Sequence, residues 1–249
     1  SAAVSKLIVK ARQMRILSSI MLAVVLLLPA ATRADGLIYQ LPADGSSAEF
    51  DLKMTMERNG QTMEADGSFA IKSVGKQKVD DVDCRWIEFK LEMKIGEREQ
   101  TVRAKVLVPE AELTRGKNPI GHVKKAWYKP GDRDPKEITD FTGSSAGPLP
   151  AFLCGPLKDA KELDAETVES SLGKFECKGV TGTTEFTVGG RENDVTFTNR
   201  LHEKAPFGIV SSVMQVEVSR DGQIQQNITM KIRLSKVGKD ATSELPDSN

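Results

Sequence analysis

Residues 50–57 read Phe50-Asp51-Leu52-Lys53-Met54-Thr55-Met56-Glu57, so that apolar and polar side chains alternate with a period of two. This period is typical of a β-strand that buries one face and exposes the other. Asn59-Gly60 follows directly, and this dipeptide is the strongest short signal for a hairpin turn. We therefore expect a half-buried strand that is followed by an antiparallel partner.

The same alternation extends outward from this strand into residues 63–71, 87–95 and 102–108. With the first strand, these stretches predict a four-stranded antiparallel meander that has one apolar and one charged face. A second block of strand-like stretches begins near residue 174 and ends near residue 237. Its Thr, Val and Phe content favours β-strands, and Gly189-Gly190 and Asp221-Gly222 mark its turns.

The segment between the two blocks loses the alternation. Within it, Ile120, Val123 and Trp127 have helical spacing and predict an amphipathic helix over residues 119–129. Residues 158–173 are interpreted as part helix and part turn. The predicted fold is a β-dominated α+β domain. A long curved antiparallel sheet, or half-barrel, of about nine or more strands would carry one or two short helices over its concave face.

Residues 1–34 have the features of a secretory signal peptide. They contain five cations and no acid, and Ile20–Leu28 is a fully apolar run. These nine residues fall well short of the roughly 20 that span a bilayer. Small residues precede Asp35, where we expect cleavage; a retained anchor helix is the alternative.

The mature chain is expected to be a soluble exported protein in a periplasm or outside the cell. We expect residues 35–238 to form a single half-barrel domain and residues 239–249 to be a flexible polar tail. No cysteine lies near the cleavage point, so a lipid-modified N-terminus is not expected.

The charge excludes one class of function. The 249 residues carry 35 Lys and Arg against 35 Asp and Glu. Without the five cations of the predicted signal peptide, 30 basic and 35 acidic groups remain, a net charge of about −5. A globally basic nucleic-acid binder is therefore ruled out.

Residues that carry chemistry are few, with two His and three Cys in the chain. The sequence has no H-E-x-x-H, P-loop or dinucleotide-binding motif. We therefore expect no cofactor, no metal site and no enzymatic activity. A hydrolase with no recognised motif is the least favoured alternative, because carboxylates that pair in space are invisible in a sequence.

The three cysteines would lie outside the cytoplasm, where disulfides persist. They allow at most one intramolecular bridge. Cys154 has apolar neighbours and is interpreted as a small buried hydrophobe. A bridge between Cys84 and Cys177, which lie in strand-like segments, is therefore favoured.

In its order of features the chain resembles the LolA/LolB-like outer-membrane lipoprotein-sorting superfamily. The resemblance is carried by a signal peptide, a meander of amphipathic strands, a mid-chain insert and a second block of strands. One local similarity to members of this superfamily is the turn Pro206-Phe207-Gly208, which leads into a late strand. The resemblance implies a half-barrel whose concave face holds acyl chains beneath helical lids, and no site residue is assigned from it.

Methionine placement points to a ligand surface. Six of the eight methionines follow the signal segment, and all six lie in predicted strands. Methionine is flexible and polarisable, which suits an adaptable apolar surface; the alternative is a core filled with methionine. The expected ligand-binding residues of the concave face are Phe50, Leu52, Met54, Met56, Phe69, Phe89, Leu91, Met93 and Met230.

A basic segment over residues 113–131 contains no acid. Cations beside amphipathic aromatic residues suit an anionic membrane surface or an acidic protein partner. The expected lid or docking residues are Arg115, Lys117, Lys124, Lys125, Trp127 and Tyr128. The alternative is a cover helix with a buried Trp127 and a solvated basic face.

The favoured function is an exported, non-enzymatic protein that binds a lipid or an acylated partner in the concavity of its sheet. An exported β-rich interaction or scaffold module with a fully packed core is the main alternative.

Overall fold

The structure, a computed structural model, describes residues 36–114, 116–141, 143 and 146–246. The described residues form one curved eleven-stranded antiparallel sheet. The strands are β1 (Ser47–Arg58), β2 (Gln61–Val79), β3 (Val82–Ile95), β4 (Arg98–Pro109), β5 (Lys125–Pro130), β6 (Lys136–Glu137), β7 (Lys158–Ser170), β8 (Gly173–Val188), β9 (Arg191–Leu201), β10 (Ile209–Arg220) and β11 (Gln223–Gly238). Short 3₁₀-helices span Glu110–Glu112 and Pro119–His122, and a one-turn α-helix spans Leu149–Phe152. The predicted fold class is confirmed.

The strand order joins two meanders through the first and the last strand. The order across the sheet is β6-β5-β4-β3-β2-β1-β11-β10-β9-β8-β7. At the seam between the meanders, Met54 pairs with Met230 and Leu52 with Ile232. The strands on either side of this seam belong to opposite ends of the described chain.

The predicted hairpin turns have the conformation that two-residue turns require. Asn59 and Gly60 both have positive φ, at 52° and 75°, and Asp221 and Gly222 at 52° and 73°. Positive φ at both positions matches the right-handed twist of the strands.

Gly67 lies where the backbones of two neighbouring strands approach each other closely. A Cβ atom on Gly67 in β2 would collide with the backbone of Glu92 in β3.

The two faces of the sheet differ in chemistry. We call the face that carries Phe50, Phe69 and Phe89 the inner face, because the main hydrophobic core lies there. The outer face carries a small separate cluster around Cys84, Trp86 and Leu107, against which Trp127 packs. Residues 110–157, here called the insert, connect β4 to β7 and contribute Leu149 and Phe152 to the main core.

Two predictions about local structure were wrong. Instead of one helix, residues 119–129 form a 3₁₀-turn at Pro119–His122 and then β5. Strand β5 is held by its pairing with β4, where Tyr128 lies opposite Ala104. Residues 158–170 form edge strand β7 rather than helix and turn.

The C-terminal segment also differs from the prediction of a flexible tail, up to the last described residue. Leu245 is only 4% exposed, and the Ala241 N–H donates to the Gly45 carbonyl at 2.8 Å. The segment is polar in composition, but its Glu244 forms ion pairs with Lys72 and Arg103 of the sheet.

The predicted signal peptide, residues 1–34, lies outside the described residues. Within the part that the structure describes, no helix has the length and apolar character needed to cross a membrane.

Candidate functional site

Strand register places the six methionines of the described residues on the inner face, towards the hairpin turns. Met54, Met230 and Met214 lie side by side on β1, β11 and β10. Met56 lies opposite Met63 on β2, and Met93 lies on β3 opposite Gly67. We call this set the methionine face: Met54, Met56, Met63, Met93, Met214 and Met230.

The methionine face becomes more exposed towards the turns. Met230 and Met214 are buried, at 4% and 6% exposed, whereas Met63 is 44% exposed. Met54, Met56 and Met93 are partly buried. Flexible thioether side chains at a half-open edge can repack around an apolar guest. The methionine face therefore has the character of an adaptable apolar surface.

The aromatic half of the inner face is closed by the protein itself. Phe50, Phe69 and Phe89 are at most 1% exposed. The Phe152 ring from the insert lies 5.0 Å from the Phe69 ring and 5.3 Å from the Phe89 ring, in tilted contacts. Leu37 is also fully buried in the main core. In this half of the inner face, the side chains of the sheet pack against one another and against the insert.

The nine predicted ligand-binding residues therefore fall into two groups. Those in the packed interior are Phe50, Leu52, Phe69, Phe89, Leu91 and Met230. Those that are partly exposed are Met54, Met56 and Met93. Sequence periodicity identifies the face of each residue, but it does not show which part of that face the insert covers.

An apolar cleft lies between the insert and strand β8. Its volume is about 360 Å³, within the range of roughly 300–1,000 Å³ found for small-molecule sites. Ile120, Phe141 and Pro150 line it from the insert, and Phe186 lines it from β8. No sequence pattern in these separated residues indicated a common cleft.

One row of side chains across the sheet connects the cleft to the methionine face. Thr184 pairs with Val195, Val195 with Val216, Val216 with Ile228, and Ile228 with Met56. Val195 and Val216 are buried, while both ends of the row are partly open. Four steps of about 4.8 Å between neighbouring strands give the row a length of about 19 Å.

A buried polar pair secures the beginning of the described chain inside the fold. The Ser212 hydroxyl donates to Asn199 Oδ1 at 2.6 Å, and Asn199 Nδ2 donates to the Gly36 carbonyl at 3.0 Å. The Gly36 N–H donates to the Cys154 carbonyl of the insert at 3.2 Å. The sequence analysis did not identify Asn199 and Ser212 as structurally important residues. The sequence signal that could have identified them is a polar residue at a position where the alternation calls for an apolar one.

The predicted lid residues do not form one surface. Arg115 lies outside the described residues, and Lys117 and Lys124 are exposed. Trp127 packs against the small hydrophobic cluster around Trp86 on the outer face, whereas Tyr128 packs against the main core of the inner face. Successive residues of a strand point to opposite faces, so β5 separates the two aromatic residues. Burial raises the pKa of Tyr128, despite the nearby charge of Arg133.

The predicted Cys84–Cys177 disulfide was wrong. Cys84 and Cys177 are both buried free thiols. Cys84 belongs to the small hydrophobic cluster of the outer face and Cys177 to the main core of the inner face, so the two thiols occupy different hydrophobic clusters. Burial raises the pKa of both thiols, which lowers the reactive thiolate fraction.

The two histidines lie in different parts of the fold: His122 ends the second 3₁₀-helix, and His202 follows β9. His122 is exposed, and its Nε2 lies 3.8 Å from a carboxylate oxygen of Glu112. The His202 ring makes an edge contact with the Phe175 ring at 5.3 Å. In the described ranges, no group of three or more His, Cys, Asp or Glu residues is arranged to hold a metal ion.

One motif match was missed by sequence reasoning. Gly143-Ser144-Ser145-Ala146-Gly147 fits G-x-S-x-G, the nucleophile elbow of α/β-hydrolases. That elbow requires a strand immediately before the serine and a helix after it. Here the preceding strand β6 has two residues and ends at Glu137, and the following helix has four residues. Ser144 and Ser145 lie outside the described residues, so we assign them no role.

Comparison with known proteins gives distant likenesses of fold. No protein-family model and no curated protein matches the chain. A DUF1329 family protein from Desulfovibrio piger is 10% identical, with a TM-score of 0.34 over 80% of this chain and 87% of that one. A protein with a YmcC-like fold from Bacteroides fragilis is 8% identical, with a TM-score of 0.34 over 82% and 100%. A DUF1849 protein from Brucella abortus is 9% identical, with a TM-score of 0.27 over 81% and 99%. These values are too low to assign a family or a function.

Proposed function

We propose that this protein is an exported, non-enzymatic binding protein that holds an apolar ligand on the inner face of its sheet. The ligand class is a lipid or the acyl chain of an acylated partner. The observation that carries the proposal is the half-open methionine face. Partly exposed Met54, Met56 and Met93 continue a buried core directly to the surface.

The shape of the apolar surface favours a long, thin guest. The row from Thr184 to Met56 crosses five strands, and the cleft of about 360 Å³ opens at its β8 end. Val195 and Val216 in the middle of the row are buried, so a guest would enter at the two partly open ends of the row. An acyl chain has the apolar character and the elongated form that such a row accommodates.

Export rests on the signal-peptide pattern of residues 1–34. Contact with an anionic membrane surface or an acidic protein is proposed only for the exposed lysines Lys117 and Lys124, since β5 divides the rest of the basic segment between two faces. The superfamily resemblance implies the same ligand class.

An interaction module with a closed core is the second candidate. The observation that favours it is the contact of Phe152 with Phe69 and Phe89, which fills the aromatic half without a ligand. If a similar closure extends to the methionine face in solution, the protein would bind other proteins through its surface.

Native mass spectrometry of the protein from its exported fraction, purified without detergent, separates these candidates. We expect extra mass that organic solvent releases as lipid. The informative variant is Met56→Lys, which places a charge on the partly exposed part of the methionine face. Because an unpaired charge in an apolar site is costly to desolvate, we expect the lipid-bound fraction to fall at least about tenfold.

Thr55→Lys is the matched control, because Thr55 is the preceding residue of β1 and lies on the outer face, opposite Glu64. It should retain lipid at the wild-type level. Equal retention by both folded variants would contradict the proposed site. A wild-type protein that carries no lipid and takes up none from phospholipid or lipopeptide would support the closed module instead.

A further inference from the structure

The outer face of β2–β4 carries a group of charged residues that contact the C-terminal segment. We call this group the outer-face cluster: Lys72, Glu88, Lys90, Arg103 and Lys105. Register places them together, because Lys72 pairs with Glu88, Glu88 with Lys105, and Lys90 with Arg103. Glu88 and Lys105 have no exposed surface.

The cluster binds the carboxylate of Glu244 from three strands. Lys72 Nζ lies 2.5 Å from Glu244 Oε1, and Arg103 Nε lies 2.9 Å from Glu244 Oε2. Lys90 Nζ lies 3.5 Å from Glu244 Oε2. Hydrogen bonds between ionised groups are stronger than neutral ones, and here they converge on a single side chain.

The cluster also binds the backbone of the segment. The Glu244 N–H donates to both Glu88 carboxylate oxygens, at 3.2 and 3.0 Å, and the Ser243 hydroxyl donates to Glu88 at 2.7 Å. Lys105 Nζ donates to the Pro246 carbonyl at 3.3 Å. Leu245, between these contacts, is buried. A carboxylate, the main chain and an apolar side chain are thus recognised together, as in a peptide-binding site.

Removal of the segment would leave the cluster with an excess of positive charge. Lys72 lies 3.6 Å from Glu88, and Lys90 lies 3.1 Å from Glu92. Arg103 and Lys105 would lose their contacts with Glu244 and Pro246. Lys72, Lys90 and Arg103 place positive charge around the segment, so an acidic occupant fits the site better than a neutral or basic one.

We propose that the outer-face cluster is a recognition site for an acidic peptide in which a glutamate precedes an apolar residue. Residues 243–246 of this chain occupy it as a built-in ligand. When that segment is displaced, the site accepts a peptide of the same chemistry from a separate molecule. The site lies on the face opposite the methionine face and does not depend on lipid binding.

The test uses the full chain with Glu244→Gln and Leu245→Ser, which weaken the built-in ligand, and a synthetic peptide of residues 240–246. Tryptophan emission reports binding, because both tryptophans of the chain lie in the adjacent hydrophobic cluster. Lys105 Nζ lies 4.7 Å from the centre of the Trp86 ring. We expect saturable one-to-one binding. The peptide with Glu244→Gln should bind at least about tenfold more weakly, since it lacks the carboxylate.

Two receptor variants in the same background locate the site. Arg103→Gln should weaken peptide binding, whereas Lys53→Gln, at an exposed outer-face lysine of β1, should not. The wild-type chain should bind the peptide more weakly than the variant, because its own segment occupies the site. If the double variant fails to fold, Glu244→Gln alone takes its place.

Three results would overturn the proposal: equal affinity for both peptides, no binding to a folded variant, or equally strong competition by inorganic phosphate. The last result would indicate a general anion site rather than a peptide site.

Discussion

Glu244 is an acid whose surroundings keep it ionised well below the usual range. Partial burial alone would raise its pKa, but hydrogen bonds from Lys72 and Arg103 and the charge of Lys90 outweigh that effect. The resulting pKa is about 2, compared with an ordinary value of 4.5. The ionised form therefore favours the docked segment.

The docked C-terminal segment should respond to acid in a defined window. Because the pKa is lower in the docked state, docking is at full strength above the ordinary value of 4.5 and is lost as the pH falls towards 2. We expect tryptophan emission to change over this window. The Glu244→Gln variant should show no such change, and an identical acid transition in both proteins would contradict the assignment.

Strand β7 forms one edge of the open sheet and carries features that oppose further pairing. Its register against β8 shifts twice, between Lys158 and Lys161 and between Leu163 and Glu166. Most of its residues are exposed, and many are charged. Bulges and charges on an edge strand discourage association with strands of other molecules.

Removal of charge from this edge should cause association. We expect the double variant Lys161→Val, Glu162→Val to form higher oligomers, as measured by size-exclusion chromatography with light scattering. The matched control is Asp51→Val, Lys53→Val on β1, which removes the same charges from a strand that pairs on both sides. If both variants remain equally monodisperse, β7 is not protected by its charges.

Strands were predictable where a period of two ended in a recognisable turn, as at Asn59-Gly60 and Asp221-Gly222. Strand β5 was not, because Ile120, Val123 and Trp127 also fit a helix. Its conformation depends on β4, which supplies the pairing partners Ala104 and Lys105. Tertiary pairing overrides a short local pattern of this kind.

The insert and the sheet share one hydrophobic core. For this reason the sequence alone did not show which ligand-binding candidates are covered. Periodicity placed Phe69 and Phe89 on the correct face. That Phe152 covers them depends on the path of a loop-rich segment that has no period of its own. The open part of the face was therefore visible only in three dimensions.

Phe152→Ala should test this shared core. Phe152 is 3% exposed, so its removal leaves a cavity between the insert and the sheet. We expect the free energy of unfolding to fall by about 3–5 kcal/mol in urea titrations followed by circular dichroism. Phe186→Ala removes a partly exposed ring of the cleft and should lower the free energy of unfolding by clearly less. Equal losses would show that Phe152 does not anchor the insert.

The seam between β1 and β11 sets a constraint on the order of assembly. Each meander can form from neighbouring hairpins while the chain is still emerging, but the middle of the sheet remains divided until β11 has been made. Closing such a long loop is slow compared with forming hairpins. Removal of a terminal strand usually shortens a sheet at one edge. Here, loss of β11 would divide the sheet at its centre and leave β1 and β10 as edge strands that are unpaired on one side.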